Sequence, residues 1–230
     1  MLKKSQGNMY PWTSHTHSHL GGECPHKCVY CYMNHPRFGR AARYTGRVRL
    51  IESELSVNYG TGKVIFIEHT GDIMARDVPS EFVDKILTHC RAYPENEYVF
   101  QSKNPRRFLE FRGKFPPKIM LGTTIETNRT IEGISEAPTP EQRYWGMLSL
   151  RILAANCPTF LTIEPVLDFD VRILGAWIIN LDPHFVNIGA DSKNHKLVEP
   201  RREKVVALMD YLKKSGIELR EKHNLNRLIK

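Results

Sequence analysis

Short apolar runs recur along this chain, at Val64 to Ile67, Tyr98 to Phe100, Ile119 to Ile125, Thr159 to Ile163 and Phe185 to Ile188. Runs of this kind suit strands buried on both faces, as in parallel sheets. Between them lie segments of helical period, such as Phe82, Val83, Ile86, Leu87 and Cys90, or Val205, Val206, Leu208, Met209 and Leu212. Repeated strand-then-helix order has few solutions, because right-handed crossovers curl the units into an open barrel or a parallel sheet. A further strand around Thr16 to Leu20 brings the count to six β/α units. One helix announces its start: Thr139 can cap, Pro140 suits the first helical position, and Gln142 completes a capping box. The last helix ends at Lys213, Lys214 and Gly216, which leaves 216–230 as a C-terminal tail. No repeat or linker divides the 230 residues, so 1–230 is read as a single α/β domain.

In either arrangement ligands bind at the carboxyl ends of the strands, where loops converge and helix N-termini point inward. The polar residues that follow the five runs are Glu68-His69-Thr70-Gly71-Asp72, Gln101-Ser102-Lys103-Asn104, Glu126-Thr127-Asn128, Glu164-Pro165 and Gly189-Ala190-Asp191-Ser192. All are expected at one opening. Taken singly, each is equally a cap or a turn; their repetition at five strand ends makes the case.

Five cysteines are present, and Cys24, Cys28 and Cys31 fall within one loop, 21–35, directly after the proposed first strand. Closely spaced thiols in a chain of this length suit metal chemistry better than a disulfide framework. Three thiolates on one short loop can wrap three corners of a 4Fe-4S cube, and with no fourth cysteine nearby one iron stays open. S-adenosylmethionine can chelate such an iron through its amino and carboxylate groups. Electron transfer then breaks a carbon-sulfur bond and yields a 5'-deoxyadenosyl radical.

The segment Cys24-x-x-x-Cys28-x-x-Cys31, with Tyr30 just before the third cysteine, resembles the signature of the radical S-adenosylmethionine superfamily. More narrowly, Phe66 to Pro79, Ser102-Lys103-Asn104-Pro105, Leu121 to Glu126 and Leu161 to Pro165 resemble a compact phage and prokaryotic family related to spore photoproduct lyase. That likeness runs from about Trp12 to the final helix. It implies a partial (β/α)6 barrel, with parallel strands inside and helices outside, and an enzyme that uses the radical for hydrogen abstraction. It also implies roles. Thr70, Gly71 and Asp72 stand where the superfamily often has a Gly-Gly-Glu-like turn that touches the S-adenosylmethionine amino group, and the sequence departs from that pattern. Ser102 and Lys103 are expected at the carboxylate or ribose, Glu126 at the ribose hydroxyls, and Tyr30 with the Asn187 to Gly189 backbone at adenine. An external reductant such as ferredoxin or flavodoxin is the implied electron donor.

Two rival readings use the same residues. Zinc is the first, because His15, His17, His19, His26 and His35 flank the cysteines and a Cys3His site would be tetrahedral. Otherwise the alternating His15, His17 and His19 are expected to line the entrance or meet solvent. Cys90 reads as helix core, and Cys157 as lying at the far end of the barrel. The second rival is a zinc- or cluster-containing nucleic-acid-binding protein without radical chemistry. No acidic residue occurs between Cys24 and Ile51, while Arg37, Arg40, Arg43, Arg47 and Arg49 alternate with Phe38 and Tyr44, a mixture that suits phosphates and stacked bases. The formal charge of +8 favours a polyanionic partner, so the expected substrate is a nucleic acid or nucleotide, with Arg37, Phe38, Arg40, Arg43 and Tyr44 as contacts. No stretch reads as a membrane span or a signal peptide, and the protein is expected to be cytoplasmic.

Overall fold

The structure is a computed structural model that describes residues 2–7, 9–35, 42–154 and 157–230. In chain order its strands and helices are β1 (Lys3–Lys4), β2 (His15–His17), β3 (Leu20–Gly21), β4 (Arg49–Leu50), β5 (Val64–Ile67), α1 (Ser80–Arg91), β6 (Glu97–Gln101), β7 (Ile119–Thr124), α2 (Pro140–Leu153), β8 (Thr159–Ile163), α3 (Val171–Leu181), β9 (Phe185–Ile188), α4 (Arg202–Lys214), β10 (Leu219–Glu221) and α5 (Asn226–Ile229). A 3-10 helix, Pro105–Phe111, takes the place of a helix after β6.

The main sheet has the order β1-β2-β5-β6-β7-β8-β9-β10, and every neighbouring pair from β2 onward is parallel. Strands that follow one another in sequence are also neighbours in space, and the two ends of the sheet do not pair. The fold is therefore an open α/β barrel, as expected. Three of the five apolar runs coincide with their strands residue for residue. The sixth strand differs, because the Thr16 to Leu20 segment divides: His15–His17 joins the barrel, whereas Leu20–Gly21 pairs antiparallel with Arg49–Leu50 in a separate ribbon. The chain expected as a tail also folds, since Leu219–Glu221 runs parallel to β9 in register with Val186 to Ile188. Its alternation is too short and too polar to signal a strand.

Side chains on alternate strand positions sort into two cores. Ile65, Ile67, Tyr98, Phe100, Leu121, Leu161, Ile163, Val186 and Ile188 face the helices. Phe66, Val99, Phe160 and Phe185 face inward, where Tyr10 packs on them and Trp12 adds to the cluster. Trp12 stacks on Tyr10 at 5.2 Å and meets Phe185 edge-on at 5.2 Å, so the N-terminal segment plugs the bore. The Tyr10 hydroxyl reaches Gln101 Oε1 at 2.8 Å and Thr162 Oγ1 at 2.7 Å. Beyond that layer the inward face turns polar.

Helix α2 begins as its sequence specifies: Thr139 accepts from the Gln142 backbone while the Gln142 side chain accepts from Thr139 N at 2.9 Å. Cys90 is fully buried in α1. Cys157 lies just before β8, at the amino ends of the strands. Among the described residues no helix is long and apolar enough to cross a membrane.

Candidate active site at the cysteine loop

The loop after β3 is stitched to a distant segment before α2. Val29 N donates to Ile134 O at 3.0 Å, Glu136 N to His26 O at 2.8 Å, and the Ser135 hydroxyl to the same carbonyl at 2.9 Å. Asn34 Nδ2 closes the loop on Cys28 O at 2.9 Å. Cys24, Cys28 and Cys31 are all free thiols on this loop. Burial, then Asp72 and the neighbouring cysteines, push the Cys24 thiol up to about 12, and burial also raises Cys31. Without a metal these two are protonated at neutral pH; a bound metal would displace the protons.

The strand-end residues converge on this loop. Lys103 Nζ lies 3.3 Å from Cys28 Sγ and 2.7 Å from Glu126 Oε1. The Tyr30 hydroxyl sits between them, accepting from Lys103 and donating to Glu126. Arg143 Nη1, from the first turns of α2, completes the group at 2.6 Å from Glu126 Oε2. Glu126 is 2% exposed and Arg143 3%. Burial alone would raise the Glu126 carboxyl, but Arg143 and Lys103 outweigh it and hold it at about 2. Burial likewise works to lower Lys103, and Glu126, Tyr30 and Cys28 reverse that and raise it. The result is a buried, fully ionised Arg-Glu-Lys triad with a neutral phenol, one cation in excess, pressed against a cysteine sulfur.

Asp72 anchors the other side. Its carboxylate accepts from Lys103 N at 2.7 Å, Met74 N at 2.9 Å and the His26 ring at 2.9 Å. Burial opposes ionisation there, yet His26 and the hydrogen bonds win and keep Asp72 below the usual carboxylate range. Thr70, Gly71 and Asp72 share one small crevice with Gly22, Cys24 and Tyr44. Thr70 itself is held by the Ser18 hydroxyl at 2.9 Å. Ser102 turns its hydroxyl back to Asn104 N at 2.8 Å and is 1% exposed, so it shapes the turn that presents Lys103. Asn187 lies on the inward face beside Thr162, 3.4 Å from its hydroxyl. Gly189 is where Glu164 and Asn224 approach closest: a Cβ there would stand 2.9 Å from Glu164 Oε1 and 2.8 Å from Asn224 Oδ1. Glu164 is further bridged to Lys222 at 2.8 Å, so the segment after β10 covers this strand end.

Several expectations are corrected. Glu68 does not face the opening with the other strand ends. It adopts φ 60 and turns its carboxylate to His19 N and to the His19 ring, the latter at 2.9 Å. His17 and His19 are 0% exposed and neither line an entrance nor meet solvent. The register of β2 against β5 decides this, because His17 pairs with Ile67, whose parity faces the helices. Burial lowers His17 to about 3 and lowers His89 as well, so both rings are neutral. A Cys3His arrangement finds His26 already bonded to Asp72, and His17 and His19 behind the sheet. Arg43, 30% exposed at its side chain, bonds Glu54 and the Ser18 carbonyl, each at 2.5 Å. Tyr44 lies beside it, with the Arg43 guanidinium 5.8 Å from its ring. Arg37, Phe38 and Arg40 lie outside the described residues.

Sequence reasoning missed Arg143 and Ser135, and singled out His26 only as a zinc ligand rather than as the partner of Asp72. Arg143 left a signal, since it shares the buried face of α2 with Tyr144, Met147 and Leu150 where an apolar residue is expected.

No protein-family model matches the chain, and no curated protein matches it. Solved structures do. Spore photoproduct lyase complexed with dinucleoside spore photoproduct aligns with a TM-score of 0.66 at 12% identity, over 94% of this chain and 79% of that one. SuiB of Streptococcus suis bound to S-adenosylmethionine aligns at 0.58 and 11% identity, over 88% of this chain and 48% of SuiB. At these identities the likeness is one of fold alone: the open α/β barrel of this chain is shared with both of those proteins.

Proposed function

We propose that the chain is a radical S-adenosylmethionine enzyme that holds a 4Fe-4S cluster on Cys24, Cys28 and Cys31 and acts on a nucleic acid or nucleotide. The observation that carries this reading is the approach of Lys103 Nζ to within 3.3 Å of Cys28 Sγ, since it joins a strand end to the cysteine loop. The residues fit the group: three free thiols on one loop are soft ligands, and the adjacent triad carries an excess positive charge toward them. Bound there, the cluster and S-adenosylmethionine would supply one-electron cleavage and a 5'-deoxyadenosyl radical for hydrogen abstraction.

The chain's own residues bind and orient. Lys103 places an ammonium beside Cys28, where it offsets thiolate charge and meets the cofactor carboxylate. Glu126 uses Oε1 for Lys103 and Tyr30 and Oε2 for Arg143, so its first task is to fix the ammonium and the phenol. A ribose hydroxyl would take the lone pair left on Oε2. Asp72 and the backbone of Thr70 and Gly71 border the crevice beside Cys24, which suits the amino group. Tyr30 and the Asn187 to Gly189 backbone take adenine. The Tyr10 and Trp12 plug closes the bore from below and keeps water from that side. A nucleic-acid substrate is supported by the net charge of +8 and by the dinucleoside bound in the lyase neighbour. Electrons would come from a ferredoxin or flavodoxin.

The test is anaerobic reconstitution followed by iron, sulfide and 5'-deoxyadenosine assays with dithionite, with and without single-stranded DNA, duplex DNA, RNA and nucleotides. About four irons and four sulfides per chain are expected. Alanine at any one of Cys24, Cys28 or Cys31 should abolish that load, and alanine at Cys90 or Cys157 should not. A colourless protein holding one zinc would overturn the cluster, and a loaded protein that forms no 5'-deoxyadenosine would overturn the radical chemistry.

A further inference from the structure

Behind the sheet, away from the cysteine loop, lies a second group of ligand-type side chains. His17 on β2, His19 two residues on, His89 in the last turns of α1 and Tyr59 between them are all buried, with His17, His19 and Tyr59 at 1% exposure or less. One nitrogen from each histidine falls within 4.8 Å of the others. Tyr59 Oη stands 2.5 Å from His17 Nδ1 and 3.0 Å from His19 Nε2, and His19 Nε2 is 2.9 Å from His89 Nδ1.

The outward nitrogens decide what the inward ones can be. His17 Nε2 faces Glu54 Oε2 at 2.8 Å, His19 Nδ1 faces Glu68 Oε1 at 2.9 Å, and His89 Nε2 faces the Val57 carbonyl at 2.9 Å. Each of those partners only accepts, so each outward nitrogen carries the hydrogen. In neutral rings the three inward nitrogens then present lone pairs to one another. The single Tyr59 hydrogen can serve one of its two contacts, and the His19–His89 contact has none. The His19 Nε2–His89 Nδ1 contact, at 2.9 Å, therefore takes either a hydrogen or a cation between its two nitrogens. Glu68 backs this group: it is 2% exposed, and its side-chain oxygens meet the His19 and Leu20 backbone N–H groups and the His19 ring.

We infer that His17 Nδ1, His19 Nε2, His89 Nδ1 and the Tyr59 oxygen form a closed, four-coordinate site for a divalent transition-metal ion of the zinc class, separate from the cysteine loop. Imidazole nitrogens suit that class, and metal–nitrogen bonds of about 2.0 Å put tetrahedral ligand edges near about 3.3 Å; the separations observed bracket that value, from 2.5 Å between Tyr59 Oη and His17 Nδ1 to within 4.8 Å across the three histidines. Outer nitrogens that donate to carboxylates and a carbonyl are what orients ligating histidines. His17 ends β2 and His19 follows two residues on, and their rings lie together with centroids 4.3 Å apart. A metal here would tie β2, the 57–60 segment and α1 together just ahead of Leu20–Gly21, where the chain enters the cysteine loop.

The test uses the 230-residue chain in which Cys24, Cys28 and Cys31 are each replaced by Ser, so that the cysteine loop does not compete. Titration with Co2+ should bind about one ion per chain. It should show the visible bands of four-coordinate cobalt without thiolate charge transfer, and Zn2+ should displace it and raise the thermal midpoint. His89→Gln should abolish these bands, and Glu68→Gln should weaken binding about 10- to 100-fold. Should His89→Gln misfold, imidazole 15N shifts of the parent under excess Zn2+ answer the same question: His17, His19 and His89 should move together. Failure of the folded protein to bind either ion, or a proton on His19 Nε2 or His89 Nδ1 under excess Zn2+, would overturn the site and leave a shared-proton network. Neither result bears on the iron count at the cysteine loop.

Discussion

Replacing Glu126 by Gln tests the buried triad through stability, independently of any cofactor. The carboxyl titrates at about 2 in the folded chain against a value of 4.5 for a free side chain. At about 1.4 kcal/mol for each tenfold change in proton affinity, that difference is worth about 3 kcal/mol at pH 7. An independent figure agrees, since breaking a buried ion pair costs about 3 to 5 kcal/mol. Glutamine cannot satisfy both sides, because its amide nitrogen must face either Arg143 or the Lys103–Tyr30 pair, donor against donor. With a urea dependence of about 3 kcal/mol per molar for a chain of this size, the midpoint should fall by about 1 M. The folded value is depressed, so the carboxylate's contribution is complete above pH 5 and is lost as pH falls toward 2. The gap between parent and variant should therefore shrink to about half by pH 3. Urea denaturation of the reduced apoprotein at both pH values reads this directly. A gap below about 1 kcal/mol at pH 7, or one unchanged between pH 7 and pH 3, would refute the triad as a source of stability.

Two further substitutions probe how the site is carried. Gly122→Ala would set a Cβ 2.3 Å from Phe160 Cε1 and Cζ, and the ring cannot retreat because Tyr10, Trp12 and Phe185 hold it; a loss of about 1 to 3 kcal/mol is expected, and calorimetry showing none would mean the plug is loose. Thr139→Ala removes one half of the α2 capping box and should cost about 1 kcal/mol in denaturant titration, with no change in metal content.

Much of the barrel was legible because its signals are local. An apolar run such as Thr159 to Ile163 is buried over its whole length, and periodicity reports burial. The same holds for the Thr139 capping box, whose partners are three residues apart, and for the three cysteines, whose spacing fixes that one loop presents them. Connection rules narrowed the arrangement to an open barrel or a parallel sheet. The strand-end rule gathered Asp72, Lys103 and Glu126 correctly.

What the sequence left undetermined depends on contacts between distant segments. Alternation put His17 and His19 on a common face, yet only the register of β2 with β5 turned His17 to the helix side, where α1 brings His89 and the 57–60 segment brings Tyr59. Lys103 and Cys28 are 75 residues apart, Arg143 and Glu126 meet across a loop and a helix, and Arg43 is claimed by Glu54 rather than by solvent. Pairing of this kind is a matter of three-dimensional distance and of which charges share a dry interior, neither of which leaves a period in the chain. The sequence by itself determined the run of parallel β/α units and the thiol loop, because both follow from local patterning. Only the tertiary structure decided which buried charges neutralise one another around them, because burial raises the cost of every unpaired charge and the folded neighbours alone can meet it.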